Sequence, residues 1–257
     1  QELAGFDAIF LGAMGDPRVP GNEHARAILL GMRFRFDLYI NLRPVRLFEP
    51  RFSPLKDVRA ADVDIVIFRE NTEGLYVGVG GQMKRGTPDE VAIQGDVNTR
   101  KGVERIIRAA FEYARSRQRR KVTLTDKANA MEHVGDLWRR VFREVAAEYA
   151  DVRTDAVYVD ALAMNMILKP ADYDVIVAPN LFGDILSDVA AALVGGLGLA
   201  PSANLHPGQK PAAFEPVHGS APPLVGTNRA NPLAAILTAA LLVEHLGYAA
   251  IARTIEA

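Results

Sequence analysis

The sequence predicts an α/β fold with substantial parallel sheet, and three observations carry that prediction. Short apolar runs alternate along the chain with longer segments of helical periodicity, which is the pattern of strand–helix–strand units. Apolar residues make up 49% of the chain and aromatic residues only 7%, a balance typical of an aliphatic α/β core. Charged residues follow several of the apolar runs, as they do where parallel strands end at a ligand crevice.

The predicted strands are short apolar runs that end at polar or turn-forming residues. We expect strands at residues 8–11, 64–68, 122–124, 156–159 and 175–178. A Gly/Pro-rich loop over 12–21 follows the first strand, and an extended segment over 39–48 is interrupted by Pro44. Residues 76–79 and 91–93 flank a stretch from Gly80-Gly81 to Pro88, which predicts a hairpin arm over about 76–96.

The predicted helices lie between these runs. We expect helices at residues 24–36, from Asn98 or Thr99 to about 117, at 132–149 and from 180 onward. Asn98 or Thr99 can begin its helix because a short polar side chain accepts a hydrogen bond from the first turn. The helix over 132–149 has a core stripe that consists of Val134, Leu137, Trp138, Val141 and Val145.

The bulk composition excludes several classes of protein. Thirty basic residues against 31 acidic ones give a net charge of −1, so no global field attracts nucleic acid or a membrane surface. The absence of cysteine excludes disulfide scaffolds, thiolate metal sites and thiol catalysis, and it agrees with a cytoplasmic location. No apolar run has the length of a membrane span, and we expect no signal peptide. Because no Gly-x-Gly-x-x-Gly motif is present, an ordinary Rossmann dinucleotide site is not indicated.

Asp184 and Asp188 are the first candidate metal ligands. They lie four residues apart in a helical segment, so both carboxylates stand on one face. Two like charges this close repel unless a cation lies between them, and carboxylate oxygens suit Mg²⁺ or Mn²⁺. For an isolated pair the alternative is an acidic first turn that complements the helix dipole.

Other residues near the predicted strand ends carry complementary charges. These residues are Arg69, Lys127 and Asp160, and Asp184 lies near a strand end as well. Arg33 and Arg43 add guanidinium forks that match carboxylates bidentately. Each arginine alone could be a solvated surface charge, but the ensemble indicates a site for an anion and a metal.

Six motifs resemble those of the β-decarboxylating dehydrogenases, the family of 3-isopropylmalate, isocitrate, homoisocitrate and tartrate dehydrogenases. The motifs are Glu70–Tyr76, Asp126–Asn129, Tyr158–Ala161, Asn180–Asp188, Gly195–Gly198 and Glu215–Pro222. They occur in the family's order and span almost the whole chain. The resemblance implies a two-domain fold whose mixed, largely parallel sheet has helices on both faces.

The resemblance also implies how the chain is divided. Residues 1–40 and 195–257 would form the large, cofactor-side domain, and residues 41–194 the small domain with the dimer interface and metal site. The hairpin arm would clasp a second copy in a homodimer. An N-terminal segment and one or two C-terminal helices of the family have no counterpart here, so we expect an incomplete chain.

The resemblance assigns roles to the candidate residues. Arg33, Arg43 and Arg69 would bind the substrate carboxylates. Asp160, Asp184 and Asp188 would bind Mg²⁺ or Mn²⁺, with Lys127 and Asp160 supplied by the other subunit. The cation would stabilise the oxyanion left when CO₂ departs. Lys127 fits the base for the substrate hydroxyl, and Tyr76 the acid that protonates the enol carbon; a surface lysine and a hairpin aromatic are the alternatives.

The cofactor residues come from two loops. His218, Gly219, Ser220, Ala221 and Pro222, together with Asn231, resemble residues that surround the adenosine of NAD. The next position is Pro223, where NAD-dependent members usually have an acidic residue that accepts hydrogen bonds from the ribose. Pro223-Leu224 does not resemble the Lys-Tyr of NADP-dependent members either, although Arg229 lies nearby, and we expect NAD.

Leu29 and Leu30 favour 3-isopropylmalate as the substrate, because they would bury its methyl groups at about 0.8 kcal/mol per carbon. A third carboxylate would remain unpaired beside them; packing of both leucines into the core is the alternative. Arg26, one turn earlier, could serve an extra carboxylate, so homoisocitrate, isocitrate and tartrate or D-malate remain open. A non-catalytic regulatory subunit is an alternative of another class, and the retained Tyr76, Lys127 and aspartates argue against it.

Overall fold

A mixed eight-stranded sheet forms the centre of the fold in a computed structural model that describes residues 2–19, 23–119 and 121–257. The described strands are β1 Ala8–Phe10, β2 Ile40–Arg46, β3 Asp64–Glu70, β4 Gly80–Met83, β5 Val91–Gln94, β6 Lys121–Asp126, β7 Arg153–Tyr158, β8 Val175–Ala178, β9 Pro201–Leu205 and β10 Ala212–Pro216. The described helices are α1 Glu23–Arg35, α2 Arg100–Ser116, α3 Glu132–Ala146, α4 Val159–Leu168, α5 Asn180–Leu193, α6 Leu233–His245 and α7 Ala249–Glu256.

The central sheet has the strand order β1-β10-β9-β2-β3-β8-β6-β7. Four of its seven strand contacts are parallel, namely β1–β10, β3–β8, β8–β6 and β6–β7. The three contacts in the middle, which join β10, β9, β2 and β3, are antiparallel. The prediction of a mixed, largely parallel sheet is therefore confirmed.

Helices cover both faces of the sheet because alternate residues of its buried strands point in opposite directions. In β3, Val66 and Phe68 pack into a core cluster with α2 and α3. Ile65 and Ile67 pack on the other face, with α4 and α5. A smaller cluster around Phe214 joins β9 and β10 to α6. In the part of the chain that the structure describes, every helix is too short or too polar to cross a membrane.

The helix boundaries follow from local chemistry. Thr99 begins α2, and its hydroxyl accepts a 3.0 Å hydrogen bond from the backbone N–H of Gly102, which confirms one of the two predicted caps. In α3 the predicted stripe faces the core, with Trp138 fully buried. That helix ends at Ala146, three residues earlier than predicted.

Two predicted elements were misplaced. The first arm strand was predicted at 76–79, but residues 75–77 form a 3₁₀ turn between Gly74 and Gly78, both of which have positive φ. The strand begins at Gly80, where a Cβ would lie 2.2 Å from the carbonyl oxygen of Ile93. The strand predicted at 156–159 runs from 153 to 158, so Asp160 lies in the first turn of α4. The end of the loop predicted at 12–21 lies outside the described residues.

Candidate active site

The candidate functional side chains lie along one edge of the sheet. Strands β3, β8, β6 and β7 are neighbours and run parallel, so their carboxyl ends meet at the same edge. Arg69 lies near the end of β3, and Lys127 directly follows β6. Asp160 and Asp184 lie in the first and second turns of the helices that follow β7 and β8. The edge therefore carries two cations and two carboxylates in a row.

A cleft of about 840 Å³ opens at this edge. The predicted residues that line it are Leu29, Leu30, Arg33, Arg43, Arg69, Tyr76, Asp184, His218 and Gly219. Glu215 and Ser202, which were not predicted, line it as well. Lys127 and Asp160 do not line the cleft of their own chain.

Asp184 is the electrostatic centre of the cleft. Its Oδ1 forms an ion pair with Arg69 and lies 3.3 Å from Nη2 of Arg43. Its Oδ2 accepts a 2.8 Å hydrogen bond from the Tyr76 hydroxyl. Arg69 is in turn fixed by a 2.9 Å hydrogen bond from its Nε to Asn180 Oδ1. Both oxygens of Asp184 thus have directed partners.

Arg43 connects the two helical aspartates. Its Nε donates a 2.6 Å hydrogen bond to Asn41 Oδ1, and its Nη1 donates to Ser187 Oγ. The same Nη1 lies 4.0 Å from Asp188 Oδ1. Asp184 and Asp188 therefore share one face of α5, as their spacing predicts. The side chain of Asp188 is 59% exposed, which leaves its carboxylate open to a further ligand.

Arg33 lines the cleft together with Arg43 and Asp184. It lies in the last turn of α1, is buried, and places Nη2 3.1 Å from Glu215 Oε1 on β10. Its Nε has no hydrogen-bond partner among the described residues. Arg33 thus lines the cleft with a buried donor that no described residue satisfies.

Burial and charge shift the pKa values of these groups. Burial, together with the neighbouring guanidiniums of Arg43 and Arg33, lowers the pKa of Arg69. Burial alone would raise the pKa of Asp184, but Arg69, Arg43 and the Tyr76 hydroxyl outweigh it and hold that pKa below its usual value. The pKa of Asp188 is raised, first by burial, because Arg43 does not fully compensate for burial and the Asp184 charge.

The wall before Arg33 combines apolar and cationic groups. Leu29 and Leu30 are half-buried and line the cleft, so they are not merely core residues. Arg26 is exposed and lines the same wall one turn earlier. The apolar side chains and the cation noted in the sequence therefore line the same cleft.

Lys127 and Asp160 form a separate corner. Lys127 Nζ lies 2.7 Å from Asp160 Oδ2, and this hydrogen bond lowers the pKa of Asp160. The turn that carries Lys127 is anchored by Asp126, which accepts a 3.1 Å hydrogen bond from the N–H of Ala128 and pairs with Arg139. The Asp160 side chain is 65% exposed, so this corner faces solvent in a single chain.

The predicted cofactor loop borders the cleft only with its first two residues. His218 and Gly219 line the cleft, whereas residues 220–232 are exposed. Gly15 approaches this loop so closely that a Cβ would lie 3.1 Å from Ser220 Oγ. Asn231 accepts a 3.0 Å hydrogen bond from the N–H of Leu233 at the start of α6. The loop is open enough to receive an extended ligand, and its Ser220 is next to the 12–15 segment.

A single chain offers only part of the set of oxygen ligands that a hard divalent cation needs. Asp184 and Asp188 offer oxygen ligands on one helix face, as Mg²⁺ and Mn²⁺ prefer. Within residues 2–19, 23–119 and 121–257 of a single chain, no three acidic or histidine side chains converge on one metal position. A third carboxylate would have to come from outside the chain's own cleft.

Several residues that shape the cleft were missed in the sequence. Asn180 accepts from Arg69 and donates a 2.9 Å hydrogen bond to the carbonyl of Glu73. Ser187 and Glu215 bind Arg43 and Arg33. Each lies inside or beside a quoted motif, so the motifs contained the signal, but the hydrogen-bond partners depend on contacts between distant segments.

The comparisons with known proteins agree on one family. The chain matches the family described as isocitrate/isopropylmalate dehydrogenase over residues 1–257. A protein of Thermobifida fusca named 3-isopropylmalate dehydrogenase is 50% identical over 257 residues, which cover 100% of this chain and 73% of that protein. A protein of the same name from Beutenbergia cavernae is 52% identical over 246 residues, 95% of this chain and 70% of that protein.

Solved structures give the same answer. The crystal structure of isocitrate dehydrogenase from Methylococcus capsulatus has a TM-score of 0.88 and 44% identity, and the match covers 97% of this chain and 71% of that one. The TT0538 protein from Thermus thermophilus has a TM-score of 0.85 and 37% identity, over 97% of this chain and 48% of that one. The protein therefore belongs to the isocitrate/isopropylmalate dehydrogenase family.

Proposed function

We propose that the chain catalyses NAD-dependent, divalent-metal-dependent oxidative decarboxylation of a substituted D-malate in the cytoplasm. The specific reaction is conversion of (2R,3S)-3-isopropylmalate to 2-oxoisocaproate in leucine biosynthesis. The observation that carries the proposal is a cleft in which three buried arginines meet Asp184 and Tyr76 beside an apolar wall of Leu29 and Leu30. The names of the curated relatives support it.

The chain's own residues divide the work. Arg33, Arg43 and Arg69 bind the two carboxylates of the malate core, and burial strengthens each charge-assisted hydrogen bond. The Tyr76 hydroxyl is protonated at neutral pH, the form that an acid needs, and burial raises its pKa further above the ordinary value. Lys127, as the neutral amine, accepts the proton of the substrate hydroxyl, and Asp160 holds its Nζ in place.

The cofactors would occupy positions consistent with this division. Asp184 and Asp188 of one chain, with Asp160 of a second, would hold Mg²⁺ or Mn²⁺, and residues 218–222 with Asn231 would hold NAD. When bound, these groups supply Lewis-acid chemistry and a hydride acceptor. Pro223 offers no acceptor to the ribose, so the NAD preference depends on the rest of the loop.

The active form is a homodimer with shared sites. Two surfaces support this assignment, because both expose apolar side chains near the functional residues. On the hairpin arm these are Val79, Met83, Val91 and Ile93, and on α4 they are Met164, Ile167 and Leu168. The outward position of Lys127 and Asp160 is explained if a second chain's cleft receives them.

The two-domain division remains part of the proposal. The clusters on both faces of β3 draw mainly on residues 40–194, whereas the cluster around Phe214 draws mainly on residues after 200. Separate cores support a small domain over 41–194 and a large one formed by 1–40 and 195–257.

A second candidate is a substrate with an additional carboxylate, such as isocitrate or homoisocitrate, and Arg26 favours it because it lines the cleft. The two candidates are separated by measuring NAD⁺ and NADP⁺ reduction, with Mn²⁺ present, on 3-isopropylmalate, homoisocitrate, isocitrate and D-malate. The highest kcat/KM with 3-isopropylmalate and NAD⁺ is expected. A clear preference for a tricarboxylate would contradict the assignment.

A leucine variant sharpens this experiment. Leu30→Ser should lower kcat/KM for 3-isopropylmalate about tenfold or more and leave D-malate less affected, because only the former has methyl groups to bury. Ile28→Ser is the matched control, since Ile28 is exposed on the same helix and does not line the cleft. Equal effects of the two variants would show that Leu30 does not contact the substrate.

A further inference from the structure

A buried hydrogen-bond chain crosses the sheet beneath the cleft and joins two of the three arginines. Arg43 donates to Asn41 at 2.6 Å, and Asn41 Nδ2 donates to Asn204 Oδ1 at 3.1 Å. Asn204 Nδ2 donates to Glu215 Oε1 at 3.1 Å, and Arg33 donates to the same oxygen at 3.1 Å. Arg33 and Arg43 lie ten residues apart in the consecutive elements α1 and β2, and this chain joins their side chains through β9 and β10.

The direction of every bond in this chain is fixed by its ends. A guanidinium only donates, so Asn41 must turn its oxygen toward Arg43 and its NH₂ toward Asn204. A carboxylate only accepts, so Asn204 must turn its NH₂ toward Glu215. The two requirements agree on one orientation of Asn204. A carboxamide meets both, whereas a carboxylate lacks the donor and an aliphatic side chain lacks both groups.

Asn204 is also fully satisfied at its position. It lies in β9, 1% exposed, between its register partners Asn41 on β2 and Ala213 on β10. Its oxygen accepts a second hydrogen bond, of 2.9 Å, from Asn71, and its NH₂ donates a second one, of 3.3 Å, to the carbonyl of Ala213. All four hydrogen-bonding positions of the carboxamide are used, which leaves the side chain no alternative orientation.

We propose that Asn204 is a positioning residue that sets the separation of Arg33 and Arg43, and so fixes the distance between the two carboxylates that the cleft accepts. It touches no ligand itself and acts through Asn41 and Glu215. The inference rests on the proposed function, in which these arginines bind a dicarboxylate.

The test is Asn204→Asp, which keeps the size of the side chain and removes its donor. At about pH 8 the new carboxylate repels Glu215, and KM for 3-isopropylmalate should rise about 10- to 100-fold, while KM for NAD⁺ stays within about twofold. At about pH 6 a proton shared by the two carboxyl groups restores the donor, so much of the affinity should return. Among the described residues, two charged groups act on this pair, namely Arg33, which donates to Glu215, and Arg43, whose charge acts on Glu215. Asn41 and Asn71 are its neutral partners.

Thr238→Val is the matched control, because it removes a buried hydroxyl from α6, which packs against β9 and β10. Its KM values should equal those of the wild type. An unchanged substrate KM in Asn204→Asp, an equal rise in both KM values, or the same profile in Thr238→Val would overturn the proposal.

Failure of the proposed function would be visible first, as wild-type enzyme that oxidises none of the substituted malates. In that case a crystal structure of Asn204→Asp at about pH 8 decides the inference. Displaced guanidiniums of Arg33 and Arg43 support it, and unmoved guanidiniums overturn it.

Discussion

The cleft and the Lys127 corner lie along the same edge of the sheet but differ in how complete they are. In the cleft, Asp184 has directed partners on both oxygens, and the arginines around it are buried. At the corner, Lys127 and Asp160 pair with each other and face solvent. One region has the groups to which we assign substrate binding, and the other has the proposed base and a carboxylate, neither of which lines the cleft.

This difference is what the proposed homodimer with shared sites predicts, in which a single chain carries two halves of different sites. A general base must come within hydrogen-bond reach of the proton that it removes. Lys127 does not line its own cleft, and its turn is held in place by Asp126. A second chain that brings its corner to this cleft is the simplest way to satisfy the requirement without unfolding either region.

The largest expected effect comes from separating the two halves by mutation. Lys127→Met and Asp184→Asn should each lower kcat about 10²- to 10⁴-fold as pure homodimers. Hybrid dimers with one copy of each variant should recover about half of the wild-type rate, because one site then has both Lys127 and Asp184 intact.

Size-exclusion chromatography of both variants is the control that association is unchanged. Hybrids are prepared with two affinity tags so that only mixed dimers are assayed. Hybrids as inactive as the parents would mean that each chain uses its own lysine. The cleft and the Lys127 corner would then belong to one site, contrary to the proposal.

A smaller effect is expected when a methyl group is added at a glycine that packs beside the functional residues of each region. A Cβ on Gly183 would lie 2.7 Å from Arg69 Cβ, and one on Gly135 would lie 2.4 Å from Ala128 Cα, next to Lys127. Gly183→Ala should therefore raise the substrate KM, whereas Gly135→Ala should lower kcat. Each should cost about 1–3 kcal/mol of the free energy of unfolding, measured in urea.

Gly31→Ala is the control for both variants, because nothing lies within 4 Å of its Cβ and the glycine is in α1. It should leave the kinetics unchanged and stabilise the protein by up to about 1 kcal/mol. If Gly183→Ala and Gly135→Ala altered the same kinetic parameter, the two regions would not have separate roles.

The smallest effect lies outside both regions, at His245, whose ring packs 5.4 Å from that of Phe214. Burial lowers the pKa of His245 below its ordinary 6.5. Between the folded pKa and pH 6.5, the unfolded chain therefore binds more protons than the folded chain. Stability is therefore lost as the pH falls from about 6.5 through the folded pKa.

In His245→Phe the loss of melting temperature between about pH 7.5 and about pH 5.5 should shrink by about 1–2 °C, with turnover unchanged. The half-exposed ring keeps the effect small, because solvent screens its charge. A steeper loss in the variant would mean that the histidine is protonated more readily in the fold than in the unfolded chain.

The strongest sequence signals came from elements whose chemistry is local. Strand β8 was predicted at its observed limits, because a strand buried on both faces is a continuous apolar run. The shared face of Asp184 and Asp188 followed from helical periodicity alone. The spacing and charge of that pair also suggested a metal, whereas Asp160 as a third ligand and the dimer came from family resemblance, and all of these assignments stay predictions.

Other parts of the molecule were set by distant partners. Strand β9 is Pro-Ser-Ala-Asn-Leu, which has little β-propensity and is stabilised by β10 and β2 on its two sides. The end of β7 was hidden because Val159 continues the apolar run while already belonging to α4. The ion pair between Arg33 and Glu215 joins residues 182 positions apart, and the motif that contains Glu215 does not specify it.

Tyr76 lies at the root of the hairpin arm, in a turn closed by the hydrogen bond from Gly74 N–H to Val97 and by that from Gln94 Nε2 to Leu75. Tyr76 therefore connects the root of the arm to Asp184, whose Oδ2 accepts the hydrogen bond of its hydroxyl. If the arm takes this position only when it contacts a second chain, the activity of the enzyme depends on its own concentration. Dilution would then lower the rate per molecule even with every substrate saturating, because chains without a partner would be inactive.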